Sequence, residues 1–88
     1  MITITAAVAI ADSGVFALTG PAKIKSDDIA DGQKLTLYEE RVNSDYDPVR
    51  YKGNQIEITK TRPSVIVEGY GNYKLLASHA NMSVGYES

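Results

Sequence analysis

The sequence predicts an all-β domain: a small antiparallel β-sandwich, immunoglobulin-like or a related Greek key, with a small barrel as the alternative. Three observations predict it. Apolar residues recur at period two in segment after segment, as in strands with one buried face. Turn-forming Gly, Pro, Asn and Asp punctuate the chain roughly every 8–12 residues. No window carries a sustained apolar stripe at helical spacing, so no helical layer is expected.

Taken in order, Ile2, Ile4, Ala6 and Val8 alternate with Thr3, Thr5 and Ala7, and "ADSG" then turns the chain. "VFALTG" reads as a second short strand closed by Gly20-Pro21. Beyond it, Ala22 and Ile24 alternate with Lys23 and Lys25. "SDDIADGQ" is a polar turn region with room for one helical turn at most. Leu35 and Leu37 alternate with Thr36 and Tyr38 in a strand running into Glu39 and Glu40. "NSDYDP" is a bend, and Gly53-Asn54 predicts a hairpin from "VRYK" to "QIEITK". In that last segment Ile56 and Ile58 share one face and Glu57 and Thr59 the other.

"RPSVIVEGYGNYKLLAS" is the densest stretch. Val65 and Val67 share one face with Ile66 opposed, and Tyr73, Leu75 and Ala77 alternate with Lys74, Leu76 and Ser78. Gly69 and Gly71 predict a tight reversal or a bulge between two strands. Tyr73, two residues before the inward Leu75, has the spacing of the tyrosine corner of immunoglobulin-like sandwiches, whose hydroxyl bonds back to the corner backbone.

Composition narrows the function classes. Eighty-eight residues make one domain, and a chain of this size buries only about 60–70% of the surface its unfolded form exposes. It has no cysteine and no tryptophan, so neither disulfides nor thiolate-bound metal can reinforce it. Burial against other subunits is the expected supplement, which makes a homo-oligomer the expected state. The formal net charge of −2, with acids and bases interspersed, gives no electrostatic footprint for nucleic acid. The apolar N-terminus lacks a basic n-region and is broken by Asp12, Ser13 and Gly14. It is too short for a membrane span and wrong for a secretory leader, so neither membrane association nor a cleaved leader is expected.

Little in the chain carries chemistry. The single histidine, His79, sits in a polar stretch with no activated nucleophile beside it. Two acidic groups stand out: Asp27, Asp28 and Asp31, and Glu39, Glu40, Asp45 and Asp47. Neither has the spacing of a calcium loop. No catalytic residue, metal or cofactor is therefore expected, and the protein reads as a non-enzyme. The six tyrosines are more suggestive, because the ring offers contact area and the hydroxyl a polar tip. Tyr46, in its turn, and Tyr70, between two glycines, are expected to project outward. Arg50 and Arg62 are placed to meet a partner's carboxylates. The N-terminal strand, with Ile2 and Ile4 and no Lys or Pro to discourage pairing, is expected at a sheet edge that a second copy would cover. The candidate interface is thus Ile2, Ile4, Tyr46, Arg50, Arg62 and Tyr70.

"LTLYEERVNSDYDPVRY", "QIEITKTRPSVIVEGYGNYKLL" and the closing "VGYE" resemble small structural proteins of tailed bacteriophages, of the capsid-decoration and head-accessory kind. In that family a strand, a polar turn with Pro, and a G-x-Y-(R/K)-(L/V) strand recur; Gly71, Tyr73, Lys74 and Leu75 match the last pattern. The resemblance covers about half the chain, residues 33–77. It implies a virion protein made in the host cytoplasm, a symmetric oligomer bound to a phage capsid or tail protein. It carries no binding signature, so no functional residue is transferred. The alternative reading is a carbohydrate- or surface-binding module that uses exposed tyrosines such as Tyr46 and Tyr70.

Overall fold

The computed structural model describes residues 2–9, 12–26, 29–41, 45–79 and 82–87, and of residues 2–5, Glu68, Ser83 and Glu87 it describes the backbone alone. Within these residues the strands are β1 (Ile2–Thr5), β2 (Phe16–Lys25), β3 (Lys34–Glu40), β4 (Tyr46–Pro48), β5 (Arg50–Tyr51), β6 (Asn54–Gln55), β7 (Glu57–Thr59), β8 (Ser64–Ala77) and β9 (Ser83–Glu87). The fold is a small all-β sandwich of antiparallel sheets. The main sheet runs β1-β9-β2-β8-β3-β4, with β7 also paired to β3, and β5-β6 forms a separate hairpin.

The spine is the β2–β8 ribbon, ten residues paired in register from Phe16↔Tyr73 to Lys25↔Ser64. Period-two patterning turns Phe16, Leu18, Ala22 and Ile24 inward on β2, and Val67, Tyr73, Leu75 and Ala77 inward on β8. Leu35 and Leu37 of β3, Ile58 of β7, and Val84 of β9 complete this core, with Ile29 and Met82 from the connections. Burying each of the Val, Leu, Ile, Phe and Met side chains contributes about 1.5–3 kcal/mol, the main favourable contribution in a chain without crosslinks.

Two expected breaks are absent. Gly20-Pro21 does not close a strand: β2 runs through it, because Pro21 lies where β8 flanks one side and no described strand pairs the other, a position that tolerates a missing N–H. Gly69 and Gly71 do not reverse the chain either; β8 is one strand of 14 residues, and the φ of 119° at Gly71 is absorbed within it. Tyr73 is therefore mid-strand, not at a corner. Its side chain lies back along β8 over Gly69, where an added Cβ would overlap the Tyr73 hydroxyl. Gly20, paired with Gly69 across the ribbon, has nothing within 4 Å of its own Cβ position. Phe16 stacks on Tyr73 with ring centroids 6.0 Å apart and meets Tyr86 at 5.4 Å.

The far end of β8 is flanked on both sides. β3 pairs with it from Leu35↔Ala77 to Glu39↔Tyr73, and Ala7 bridges to Leu76 in parallel on the other flank. The Ala77 N–H donates to the Ala7 carbonyl at 2.8 Å. The complementary bond is relayed: the Ala7 N–H donates to the Ser13 hydroxyl at 3.2 Å, which donates to the Leu75 carbonyl at 2.9 Å. Ser13 is buried, so this relay satisfies groups that would otherwise be costly to dehydrate. The predicted alternation of the first strand fades here, with Ala6 packed on the core but Val8 60% exposed.

On its outer side β3 pairs first with β7 and then with β4. Between those partners the chain leaves as a finger, residues 49–56, rooted by Leu37 N–H to Ile56 O at 3.1 Å and Val49 N–H to Leu37 O at 2.9 Å. Its turn is Lys52-Gly53, with φ of 54° and 84°. Two successive positive φ angles suit the strand twist of a tight hairpin. The hairpin expected here exists, one residue earlier than Gly53-Asn54.

Candidate functional site

Two surfaces on β8 stand out, one on its outward face and one along its edge, and Ile66 borders both. The first is the outward face of the ribbon. Ile66 and Tyr70, alternate outward residues flanking Glu68, are 72% and 80% exposed. They sit opposite Lys23 and Thr19 of β2, both exposed. Farther along the ribbon the face becomes polar and internally bonded. Asn72 Nδ2 donates to Glu40 Oε1 and the Tyr46 hydroxyl to Glu40 Oε2, each at 3.4 Å. Lys74 Nζ lies 4.6 Å from the Tyr46 ring centroid. Burial, then the charge of Glu40 and the bond to it, raises the Tyr46 phenol above its ordinary value.

The second surface is an edge. Residues 64–70 of β8 pair with β2 on one side, and among the described residues no strand pairs the other. The finger stands across from this edge, and between them runs an open groove of about 790 Å³. Its walls include Val49, Ile56 and Val65, half-buried residues packed on the core, together with Val67 and Tyr73. Burial, and secondarily the Glu39 charge, raises the Tyr73 phenol. Arg50, Lys52 and Arg62 also line the groove and are exposed.

Charge in the groove is unevenly satisfied. Its two acids are engaged, Glu57 with Lys34 at 2.9 Å and Glu39 with Arg41 at 3.1 Å. Lys52 Nζ lies 5.5 Å from the ring centroid of Tyr51. The guanidinium groups of Arg50 and Arg62 meet no carboxylate among the described residues.

The six interface residues expected from sequence therefore divide. Arg50 and Arg62 come together on one groove, and Tyr70 is outward as expected. Tyr46 lies on β4 and is half-buried, not at a turn tip. The backbone of Ile2 and Ile4 is on β1, which closes one end of the strand order; their side chains lie outside the described residues. Ile66 and Lys52 were not anticipated as surface features. Ile66 was legible as the outward residue of "SVIV", whereas nothing local marks Lys52 as a groove residue.

The single histidine belongs to a polar pair. Ser78 Oγ lies 2.8 Å from His79 Nδ1, but the pair is exposed, and the hydroxyl already accepts the Lys34 N–H at 2.8 Å. Among the described residues no acid orients the ring. Asp31 pairs with Lys60 at 3.5 Å and Asp47 with Arg41 at 3.6 Å; Asp27 and Asp28 lie outside the described residues. No group of three His, Asp or Glu able to hold a metal occurs among those described. Comparison with protein-family models, curated proteins and solved structures found no match.

Proposed function

We propose that this protein is a non-enzymatic structural binding module, a rigid β-domain that self-associates and attaches to a larger assembly. The observation that carries the reading is the Ile66–Tyr70 pair: two large side chains on the outer face of a strand whose inner face already supplies the core. They add little to folding where they stand, and exposed apolar and aromatic residues of this kind suit a contact surface. The sequence resemblance to phage decoration and head-accessory proteins gives the assembly its proposed identity, a phage capsid or tail, and the protein its proposed location, the virion.

Size-exclusion chromatography with light scattering tests self-association. The expected result is a mass above the 9.5 kDa monomer for the unaltered protein, and a return towards the monomer for Ile66→Lys with Tyr70→Ala. A strictly monomeric protein at high micromolar concentration overturns self-association. Genes flanking the coding sequence test the virion reading: a capsid or portal gene alongside supports it, and a setting without phage genes overturns it.

The exposure of Tyr70 and Tyr51, 80% and 66%, favours the second reading, recognition of a surface carbohydrate by ring stacking. That reading expects saturable glycan binding that Tyr70→Ala weakens, and a glycan array without signal removes it.

A further inference from the structure

We infer that the groove between the finger and the open edge of β8 takes up an extended, acidic segment of a partner protein as an added strand. The inference rests on the binding-module reading above and adds the partner's chemistry.

Three observations converge on this occupant. The first is the edge itself. Residues 64–70 are extended and, among the described residues, paired on one side, so their outward N–H and C=O groups offer a ladder to an incoming strand, as in recognition by strand addition. No proline lies within residues 64–70 to interrupt such a ladder; Pro63 and Arg62 precede them. The second is room. A finger stands opposite, and the intervening space of about 790 Å³ is walled by Val49, Ile56 and Val65, which the core leaves half-buried. Alternate apolar side chains of an incoming strand would complete the burial of these three.

The third observation decides the charge. Arg50 projects from the finger and Arg62 from the turn leading into β8, so the groove has a guanidinium on each bank. Lys52 adds a third positive charge at the hairpin turn. The acids that line the same groove, Glu39 and Glu57, are held by Arg41 and Lys34. The net unmatched charge is positive in a protein whose overall charge is negative. Guanidinium groups bind carboxylates through paired, planar hydrogen bonds. The fitting sequence is therefore a period-two strand with apolar residues on one face and Asp or Glu on the other.

The test uses the full chain and fluorescent peptides: one alternating Val with Glu, its Lys-for-Glu counterpart, and a Val/Glu version with proline at alternate positions. Anisotropy should show saturable binding of the Val/Glu peptide, weakening from about 0.05 to about 0.5 M salt as screening grows. The Lys counterpart should bind about ten- to a hundredfold more weakly, and so should the Val/Glu peptide to Arg50→Glu/Arg62→Glu. Both arginines are exposed, so the variant should keep its fold, which circular dichroism and thermal melting check. The proline peptide should fail, because it cannot complete the ladder. Amide shifts confined to residues 64–70 and the finger would locate the strand. Equal binding of acidic and basic peptides, retention by the double variant, or shifts elsewhere on the molecule would overturn the proposal. If the peptide does not bind while Ile66→Lys/Tyr70→Ala still dissociates the oligomer, the groove fails and the binding-module reading stands.

Discussion

The two halves of β8 share one backbone and one alternation, yet they meet different fates. From Tyr73 to Ala77 the strand has β3 on one flank, with Ala7 beside Leu76 on the other. Its inward residues are sealed, Leu75 completely. From Ser64 to Tyr70 it has β2 alone among the described residues, and Ile66 and Tyr70 stand in solvent. The difference teaches that patterning decides which way a side chain points, while the neighbouring strand decides whether the edge is finished. The first half is sealed into the core, and the second presents the proposed contact surface.

The sharpest way to break this comparison is to truncate one residue in each half. Leu75→Ala should cost about 2–5 kcal/mol by urea denaturation, because its cavity lies in a packed interior. Ile66→Ala should stay within about 0.5 kcal/mol. Similar costs for both would show that the outward face is part of the core after all.

The paired glycines at the middle of the ribbon sharpen it further. Gly69→Ala should destabilise by about 1–3 kcal/mol, since the new methyl meets the buried Tyr73 ring. Gly20→Ala, across the ladder, should be neutral or stabilising by about 0.5–1 kcal/mol. Adding Tyr73→Phe to Gly69→Ala should recover part of the loss by removing the overlapping oxygen. If the two alanines behave alike, the ring does not lie over Gly69.

The smallest expected effect is a dependence on alkaline pH. Burial, with a smaller contribution from Glu39, raises the Tyr73 phenol above 10.0. The folded protein then holds this proton where the unfolded chain has released it. Stability should be unaffected below about pH 10 and should decline above it as the unfolded chain ionises first. Tyr73→Phe should flatten that decline in urea midpoints taken across the same range.

Much of the fold was legible because period-two alternation is a local signal. The inward sets of β2 and β8 and the outward place of Ile66 follow from it directly. Glycine and proline misled, since their meaning depends on what lies across the sheet. Gly20-Pro21 and Gly69 read as chain breaks, but one pairs beside an unfinished edge and the other makes room for a ring four residues away. The groove was the least legible feature. Arg50 and Arg62 were picked for their chemistry, yet only the fork in β3's pairing, at Leu37, sets the finger across from β8 and joins them. Tyr46 was misplaced because β4 begins inside the apparent turn.

The bond at Ser13 also shows how far along the sequence the closures of this fold reach. β1 is completed by β9, β2 by β8, and the hydroxyl of Ser13 by a carbonyl 62 positions later. Residues 16–25 find their β8 partners at 64–73, and residues 2–5 find theirs on β9. Such distant closures make folding slow and leave early segments bare in the meantime. A fold built on such remote pairings is expected to form more slowly than a helical chain of the same length.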